Sequence, residues 1–482
     1  MLEPRQRLLP LSDSRLATTV PGLTGDERRA LCRSYRRKLV PNPELNRALV
    51  SFQRNRSAPF YRWLKYKEAF SCEFVKYVLA QFPVQTGAQR SVLDPFAGVG
   101  TTLIAAAEEG WNATGIELLP VGIAAMNARL KGHVVSLPRF KRSLAALKDV
   151  ALRSSGQSGY SFPHLKITQG AFPPETEEQL SIYNDLLEKI SDENVHCLFR
   201  FALLAVLEEV SFTRKDGQYL RWDPRSGKGK PSRFNKGPIA TFWPTVIRKL
   251  EAILEDIEQR DSRAFSPNMR IIQDSCLAEL PRLLSDSFDL VVTSPPYCNR
   301  YDYTRTYALE LAYLGYSEKQ VKDLRQVLLS ATVENKPKRE QLAGIYASLG
   351  RAAAFNVMVE CFENQSALIE VLDLLRDARN AGKLNNNNVP RMIEHYFFEM
   401  NLVVHELARL LRVGGRVVMV NDNVQYFGEE VPVDLILSEF AVHAGLKVEN
   451  IWVLPRGKGN SSQQMGVHGR NEIRKCVYVW SK

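Results

Sequence analysis

The fold of this chain follows from one stretch, Ser91-Val92-Leu93-Asp94-Pro95-Phe96-Ala97-Gly98-Val99-Gly100-Thr101-Thr102. The pattern predicts an apolar strand, a glycine turn and a helix that continues to Glu109. Glycines let a ligand approach the backbone closely, and the first turn of a helix supplies free N–H groups. A dinucleotide fingerprint would need a third glycine where Leu103 stands, so NAD fits this turn poorly.

The next strand is predicted at residues 113–118 and carries Glu117 near its end. A carboxylate at the end of the second strand can accept hydrogen bonds from both ribose hydroxyls, as in other nucleotide-binding α/β sheets. A lone Gly-x-Gly is also common in tight turns that bind nothing. Glu117 at this spacing, together with the turn described next, favours a nucleoside cofactor.

A second informative turn is Thr293-Ser294-Pro295-Pro296-Tyr297, which follows the strand-like residues 288–292. The two prolines fix φ and lack N–H groups, so nearby carbonyls remain available as acceptors. A carbonyl, a serine hydroxyl and a tyrosine ring suit a planar group with an exocyclic NH2. The alternative interpretation is a proline-rich turn before a helix.

In this order the motifs resemble those of the S-adenosylmethionine-dependent DNA amino-methyltransferases, which modify N4 of cytosine or N6 of adenine. The resemblance covers about half the chain, in pieces. Residues 270–275 resemble the third strand, residues 410–420 the helix end and fifth strand, and residues 447–454 with 475–480 the closing antiparallel hairpin. The family implies an α/β, Rossmann-like methyltransferase fold: a seven-stranded, mostly parallel sheet, its last strand antiparallel, with two largely helical insertions.

The resemblance also implies which residues act. Segment 66–71 resembles the part that closes over the methionine end of the cofactor, and Asp274 the acid beside its adenine amino group. The tetrapeptide Ser294, Pro295, Pro296 and Tyr297 would be catalytic. The residues expected to bind S-adenosylmethionine are Lys67, Phe70, Ser71, Asp94, Phe96, Gly98, Gly100, Thr101, Thr102, Glu117, Asp274 and Ser275.

The mechanism implied is direct methyl transfer to a base flipped out of the duplex. Tyr297 would stack on the base, while Ser294 and the Pro295 carbonyl accept hydrogen bonds from its NH2. Serine in the first position is typical of cytosine-N4 enzymes, so we expect N4 of cytosine, with adenine N6 as the alternative. An RNA or protein-glutamine methyltransferase, or a DNA-binding subunit without turnover, are further alternatives.

The order of the motifs leaves target recognition to two insertions. We divide the chain into a basic N-terminal arm (1–55), the cofactor half of the catalytic domain (56–133), a helical and basic insertion (134–268), the catalytic loop region (269–298), a helical insertion (299–390) and the C-terminal half (391–482). Which insertion reads bases stays open. Arg300, Tyr301 and Asp302 follow the catalytic turn directly and are expected to shape the target pocket.

The net charge of +11 and pI of about 9.2 suit a phosphate-rich partner. Basic residues would neutralise phosphates, and interleaved aromatic residues could stack on bases. The alternative is a solvated basic loop packed on its own aromatic rings. The residues expected to contact double-stranded DNA are Arg214, Lys215, Arg221, Trp222, Arg225, Lys228, Lys230, Arg233 and Arg300.

Two other polar segments have two interpretations each. The basic residues near the start either clamp DNA or form the solvated face of an amphipathic helix; they are Arg28, Arg29, Arg33, Arg36, Arg37 and Lys38. Residues 457–462 either contact the nucleotide or DNA backbone or form a hairpin loop without function.

The seven cysteines are scattered without metal-ligand spacing, so no metal site is expected. Cys298 stands after Tyr297 rather than after a proline, so we expect a pocket-wall or structural residue and not a nucleophile. The sequence shows no signal peptide and no long apolar span, which favours the cytoplasm and no membrane partner. A cognate restriction endonuclease is a candidate partner, and the oligomeric state stays open.

Overall fold

The computed structural model describes residues 25–82, 90–153, 160–216, 219–228, 234–260, 268–455 and 473–482. Strands and helices alternate along most of the chain, which is typical of an α/β protein. The strands are β1 Leu39–Pro41, β2 Ser91–Asp94, β3 Asn112–Ile116, β4 Thr213–Asp216, β5 Tyr219–Trp222, β6 Met269–Ile272, β7 Phe288–Thr293, β8 Leu411–Asp422, β9 Val424–Tyr426, β10 Glu429–Val431, β11 Lys447–Val453 and β12 Lys475–Ser481.

Seventeen α-helices connect and flank these strands in the described parts of the chain. They are α1 Asp26–Ser34, α2 Cys72–Gln81, α3 Thr101–Glu108, α4 Pro120–Val134, α5 Leu137–Arg153, α6 Pro174–Leu187, α7 Glu193–Val206, α8 Phe242–Glu258, α9 Cys276–Glu279, α10 Tyr303–Thr306, α11 Ala308–Tyr313, α12 Glu318–Val327, α13 Arg339–Ser348, α14 Ala352–Glu363, α15 Ser366–Asn380, α16 Val389–Leu410 and α17 Val433–His443.

The main sheet has the strand order β1-β11-β12-β8-β7-β2-β3-β6. All neighbouring strands are parallel except β12, which is antiparallel to both β11 and β8. This confirms the Rossmann-like methyltransferase fold. The sheet has one strand more than predicted, because β1 pairs with β11 at its edge. With only three residues, β1 is too short to give a periodic signal in the sequence.

Helices cover both faces of this sheet. Alternate strand residues point to opposite faces, so Val92 joins the core with α2 and α3, whereas Leu93 joins the core with α16 and α17. The chain order reverses at β2, whose neighbours are β3 and β7. In open α/β sheets such a reversal leaves a crevice at the carboxyl ends of the strands.

The predicted insertions are largely helical, and they pack in two ways. Helices α5 to α8 share one apolar core with α4 and with residues 307–324 of the second insertion. Residues 329–389 pack instead against the core that covers the sheet. The division of the chain into domains remains a prediction. The polar turn at 457–462 lies outside the described residues.

Candidate active site

The glycine turn after β2 folds around the carboxylate of Asp94. Asp94 accepts hydrogen bonds from the hydroxyls of Thr102 and Thr293, each at 2.7 Å, and from the N–H of Phe96 at 3.1 Å. Burial raises the pKa of Asp94 to about 6, against the effect of these hydrogen bonds. Since Thr293 precedes Ser294 in the chain, Asp94 joins the glycine turn to the turn that begins at Ser294.

Two glycines give this turn its shape. Gly98 and Gly100 have φ values of +53° and +76°, in the left-handed region that favours glycine. A Cβ on Gly100 would lie 2.5 Å from Cγ of Met126. Gly100 therefore shapes the start of α3 but does not itself line the cleft.

Glu117 follows β3 and faces the same turn. Its two carboxylate oxygens accept backbone hydrogen bonds from Gly98 and Leu119, each at 2.6 Å. Burial raises the pKa of Glu117 to about 7, and the two backbone donors lower it only in part. A buried carboxylate of this kind can be stabilised further by a ligand that brings hydroxyl donors or positive charge.

A cleft of about 840 Å³ lies at the carboxyl ends of β2, β3, β6 and β7. Ten of the predicted site residues line it, namely Phe70, Asp94, Phe96, Gly98, Thr101, Glu117, Asp274, Ser275, Ser294 and Pro296. Four lining residues are acidic: Glu68, Asp94, Glu117 and Asp274. No lysine, arginine or histidine is among the described residues of its wall. The cleft therefore favours a ligand with positive charge and without phosphates.

Other predicted residues do not line the cleft. Ser71 is fully buried as the N-cap of α2 and donates to the carbonyl of Leu49 at 2.6 Å, so it acts as a helix cap. Lys67 directs its ammonium to the carbonyl of Lys215 at 2.7 Å. Thr102 supports the turn through Asp94, and Pro295 and Tyr297 are likewise not part of the wall.

The turn at residues 294–297, predicted to be catalytic, follows β7 with Ser294 at the cleft. Its hydroxyl lies 3.5 Å from the hydroxyl of Tyr297, a weak contact that leaves Ser294 able to bind a ligand. Burial, followed by the charge of Asp422, raises the pKa of Tyr297 above its usual value. The hydroxyl of Tyr426 donates to the carbonyl of Cys298 at 2.7 Å and so fixes the end of the turn.

Cys298 is fully buried in the apolar core beneath this turn. Burial also raises the pKa of its thiol, which keeps the sulfur protonated at neutral pH. Its packing fits the structural role predicted for it and does not fit a nucleophile.

Several parts of the cleft were not predicted from the sequence. Leu328 and Leu329 form an apolar part of the wall, and Tyr303 and Glu68 also line the cleft. No motif marks Leu328, Leu329 or Tyr303, because each reaches the cleft from a segment remote in sequence from the glycine turn; Glu68 lies in the predicted segment 66–71 but was not singled out there. Only the position of Tyr303 and Tyr301 directly after the catalytic turn offered a signal.

Comparison with known proteins gives relatives along nearly the whole chain. The chain is 43% identical over 464 residues to the type II methyltransferase M.AvaI of Nostoc sp., covering 94% of this chain and 93% of the relative. It is 39% identical over 475 residues to the type II methyltransferase M.BsoBI of Geobacillus stearothermophilus, covering 95% and 92%. The chain belongs to the type II methyltransferases. These are the DNA methyltransferases of restriction-modification systems.

No protein-family model matches this type II methyltransferase, and no solved structure does. Within the described ranges, no helix is long and apolar enough to cross a membrane. The same ranges contain no group of three or more histidine, cysteine or acidic side chains arranged to hold a metal ion.

The basic segment of this type II methyltransferase is a two-stranded hairpin, β4 and β5. Arg214 is exposed, but Lys215 is buried: its ammonium pairs with Glu310 and lies 4.3 Å from the ring centre of Tyr307. The prediction that Lys215 contacts DNA is therefore wrong for the conformation described, because its side chain points into the protein. Arg221 is exposed and pairs with Asp216.

The other predicted DNA contacts have mixed environments. Arg225 pairs with Asp223 at 2.7 Å, and the ammonium of Lys228 lies 5.1 Å from the ring centre of Trp222. Arg300 is half-buried and adopts a φ of +66°, and its buried Nε has no hydrogen-bond partner within the described residues. Lys230 and Arg233 lie outside the described residues.

The N-terminal basic segment is divided between surface and interior. Arg29, Arg33, Arg36 and Arg37 are exposed on or just after α1. Arg28 is fully buried and pairs with Glu370 and Glu429 at 2.5 and 2.8 Å. Neither interpretation of this segment holds for Arg28, which anchors α1 to the body of the protein.

Proposed function

We propose that the chain transfers a methyl group from S-adenosylmethionine to the exocyclic N4 of cytosine in double-stranded DNA. The observation that carries this proposal is that Ser294 and Pro296 line the same acidic cleft as Asp94 and Glu117. A nucleoside-type cofactor site and a turn suited to an amino group are thus joined in one cavity.

The residues present fit S-adenosylmethionine. At neutral pH this cofactor carries an ammonium, a carboxylate and a sulfonium, so its net charge is positive, which suits a cleft whose described wall has four acidic residues and no basic ones. Glu117 would bind the ribose hydroxyls, Asp274 and Ser275 the adenine edge, and Leu328 with Leu329 its apolar face. When bound, the cofactor supplies a methyl group made electrophilic by the positive sulfur.

The turn after β7 would hold the target base. Ser294 accepts one hydrogen bond from the base NH2. The carbonyl of Pro295, the next residue in the chain, accepts the other. Tyr297 supplies a ring on which the extruded base stacks. The hydrogen bond from Thr293 to Asp94 fixes the turn against the cofactor loop. The protein would then accelerate methyl transfer mainly by positioning the base and by electrostatic stabilisation.

Sequencing of genomic DNA tests this function directly. The protein would be expressed in a bacterium that lacks DNA methylation, beside the Ser294→Ala variant as a matched control. We expect N4-methylcytosine at one recurrent motif, absent in the control. Detection of N6-methyladenine would change the assigned target from cytosine to adenine. Unmodified DNA in cells that express the protein well would overturn the proposal.

Cofactor affinity should depend on pH through Glu117. Its pKa of about 7 is raised by burial, so the free protein holds a proton that a cationic, hydroxyl-bearing ligand displaces. Binding therefore releases a proton, and affinity should rise roughly tenfold from pH 6 to pH 8. The stability of the free protein should change in the opposite sense, falling as pH rises through about 7.

Isothermal titration calorimetry in buffers of different ionisation enthalpy measures both the affinity and the proton count. Glu117→Gln is the matched control, since it keeps the shape but cannot titrate. An unchanged pH profile in this variant would show that another group is responsible.

Arg214 is expected to contact a DNA phosphate. It projects from the exposed face of the β4–β5 hairpin, and no ion pair is recorded for it within the described ranges. Arg214→Ala should weaken binding to a duplex of arbitrary sequence and lower the slope of log K against log salt by about one. Fluorescence anisotropy across a salt series measures this slope. Arg214→Lys keeps the charge and should keep the slope; a wild-type slope in Arg214→Ala would exclude the contact.

A further inference from the structure

Glu68 forms part of the cleft wall and is held by two tyrosines. The hydroxyl of Tyr307 donates to Oε2 of Glu68 at 2.6 Å, and the hydroxyl of Tyr301 donates to Oε1. Both tyrosines belong to the segment that follows the catalytic turn. The carboxylate thereby joins the segment before α2 to the segment after Ser294.

The two groups that donate hydrogen bonds to Glu68 are neutral and do not cancel its charge. Burial raises the pKa of Tyr301 and Tyr307 well above its usual value, so both remain neutral hydroxyl donors. No ion pair with Glu68 occurs in the part of the chain that the structure describes. The buried ammonium of Lys215 lies on the ring of Tyr307 and pairs with Glu310.

Glu68 lies on the transfer side of the cleft. Tyr303 lines the cleft with Ser294, and its ring contacts that of Tyr301 with ring centres 4.8 Å apart. After burial, the charge of Glu68 and then Tyr297 contribute most to the raised pKa of Tyr303. Tyr303 therefore has Glu68 and the catalytic tyrosine as its neighbours.

We propose that Glu68 is a specificity-determining residue that favours the methyl donor over the demethylated product. This inference rests on the proposed function. S-adenosylmethionine and S-adenosylhomocysteine share the ammonium, the carboxylate and the nucleoside, and differ in the charge on sulfur. A carboxylate beside the transfer point attracts the sulfonium and loses that attraction once sulfur is neutral. The same group thus binds the donor and assists release of the product.

Calorimetric titration of both ligands into the full-length protein tests the inference without measuring turnover. Glu68→Gln should lower the affinity for S-adenosylmethionine by roughly tenfold and the affinity for S-adenosylhomocysteine by less than about twofold, because only the donor loses a charge–charge attraction. The matched control is Glu117→Gln at the nucleoside side, which should weaken both ligands by a similar factor. Glu68→Asp keeps the charge and should retain most of the preference for the donor.

Other outcomes would decide against it. If Glu68→Gln lowers the affinity for both ligands equally, Glu68 contacts a part of the ligand that S-adenosylmethionine and S-adenosylhomocysteine share. If it lowers neither affinity, Glu68 does not act on the sulfonium charge. Wild-type protein that binds neither ligand would overturn the proposed cofactor itself. Thermal melting of each variant separates loss of binding from loss of folding, and Glu68→Asp preserves the test if Glu68→Gln does not fold.

Discussion

Ser294→Ala should lower the single-turnover rate of methyl transfer by roughly 10²–10³, the usual effect of removing one preorganised hydrogen-bonding group at a reacting centre. Affinity for S-adenosylmethionine should stay within about twofold, since the cofactor side of the cleft is untouched. The geometry of the turn should also persist, because Thr293 rather than Ser294 makes the bond to Asp94. Rapid-quench measurement with radiolabelled cofactor gives the rate, and calorimetry gives the affinity.

The control for this variant is Ser287→Ala at the other end of β7. The Ser287 hydroxyl donates to the carbonyl of Leu284 at 2.6 Å, outside the cleft, so the rate should not change measurably. Parallel loss of rate and of cofactor affinity in Ser294→Ala would contradict the role given to this hydroxyl and would instead indicate that the cleft had collapsed.

Lys338→Met should destabilise the protein by about 3–5 kcal/mol, because it leaves a buried carboxylate without its partner. The ammonium of Lys338 lies 2.8 Å from both oxygens of Glu399, and both side chains are almost fully buried. It also donates to the carbonyl of Leu328 at 2.7 Å, next to the apolar wall of the cleft. The melting temperature should fall by on the order of 3–5 °C, with weaker cofactor binding.

The double variant Lys338→Met/Glu399→Leu provides the control. Replacing a buried ion pair with apolar residues of similar size is often neutral, so the double variant should recover most of the stability. A single variant as stable as the wild type would show that Glu399 is solvated or protonated at little cost. Scanning calorimetry of the single and double variants distinguishes these cases.

The sequence predicted the parts of the site that are short turns at the ends of strands. The turn around Asp94, the acid Glu117 and the turn at Ser294 each lie at the end of one strand, and parallel strands bring such ends together. In the structure Asp94, Glu117 and Ser294 line one cleft, and their roles in it remain predictions. The short edge strand β1 was missed, because its pairing with β11 depends on tertiary contact alone.

Charge along the sequence predicted the basic surface less well. Lys215 was grouped with Arg214, but neighbouring residues of a strand point to opposite faces, so one of the two had to turn inward. A period-two pattern applied to β4 would have separated them. Arg28 shows the same limit for a helix, since its acidic partner Glu370 is 342 residues away in the chain.

The parts of the site that were missed depend on long-range contacts. Glu68 acquires its two tyrosine donors from residues 233 and 239 positions away. Leu328 is held at the cleft by Lys338, which donates to its carbonyl and pairs with Glu399. In the sequence, Lys338 and Glu399 each look like an ordinary surface charge. Such positions are fixed by packing of the whole chain and not by any local pattern.

The position of β12 has a consequence for how the chain is made. Although β12 comes last in sequence among the strands, it lies inside the sheet, between β8 and β11. At the centre of the sheet, Val92 likewise pairs with Leu290, a residue synthesised much later. Contacts so distant in sequence form slowly. The sheet therefore cannot close on the ribosome until residues 475–481 have emerged, so the folding of the whole sheet waits for its last strand in sequence.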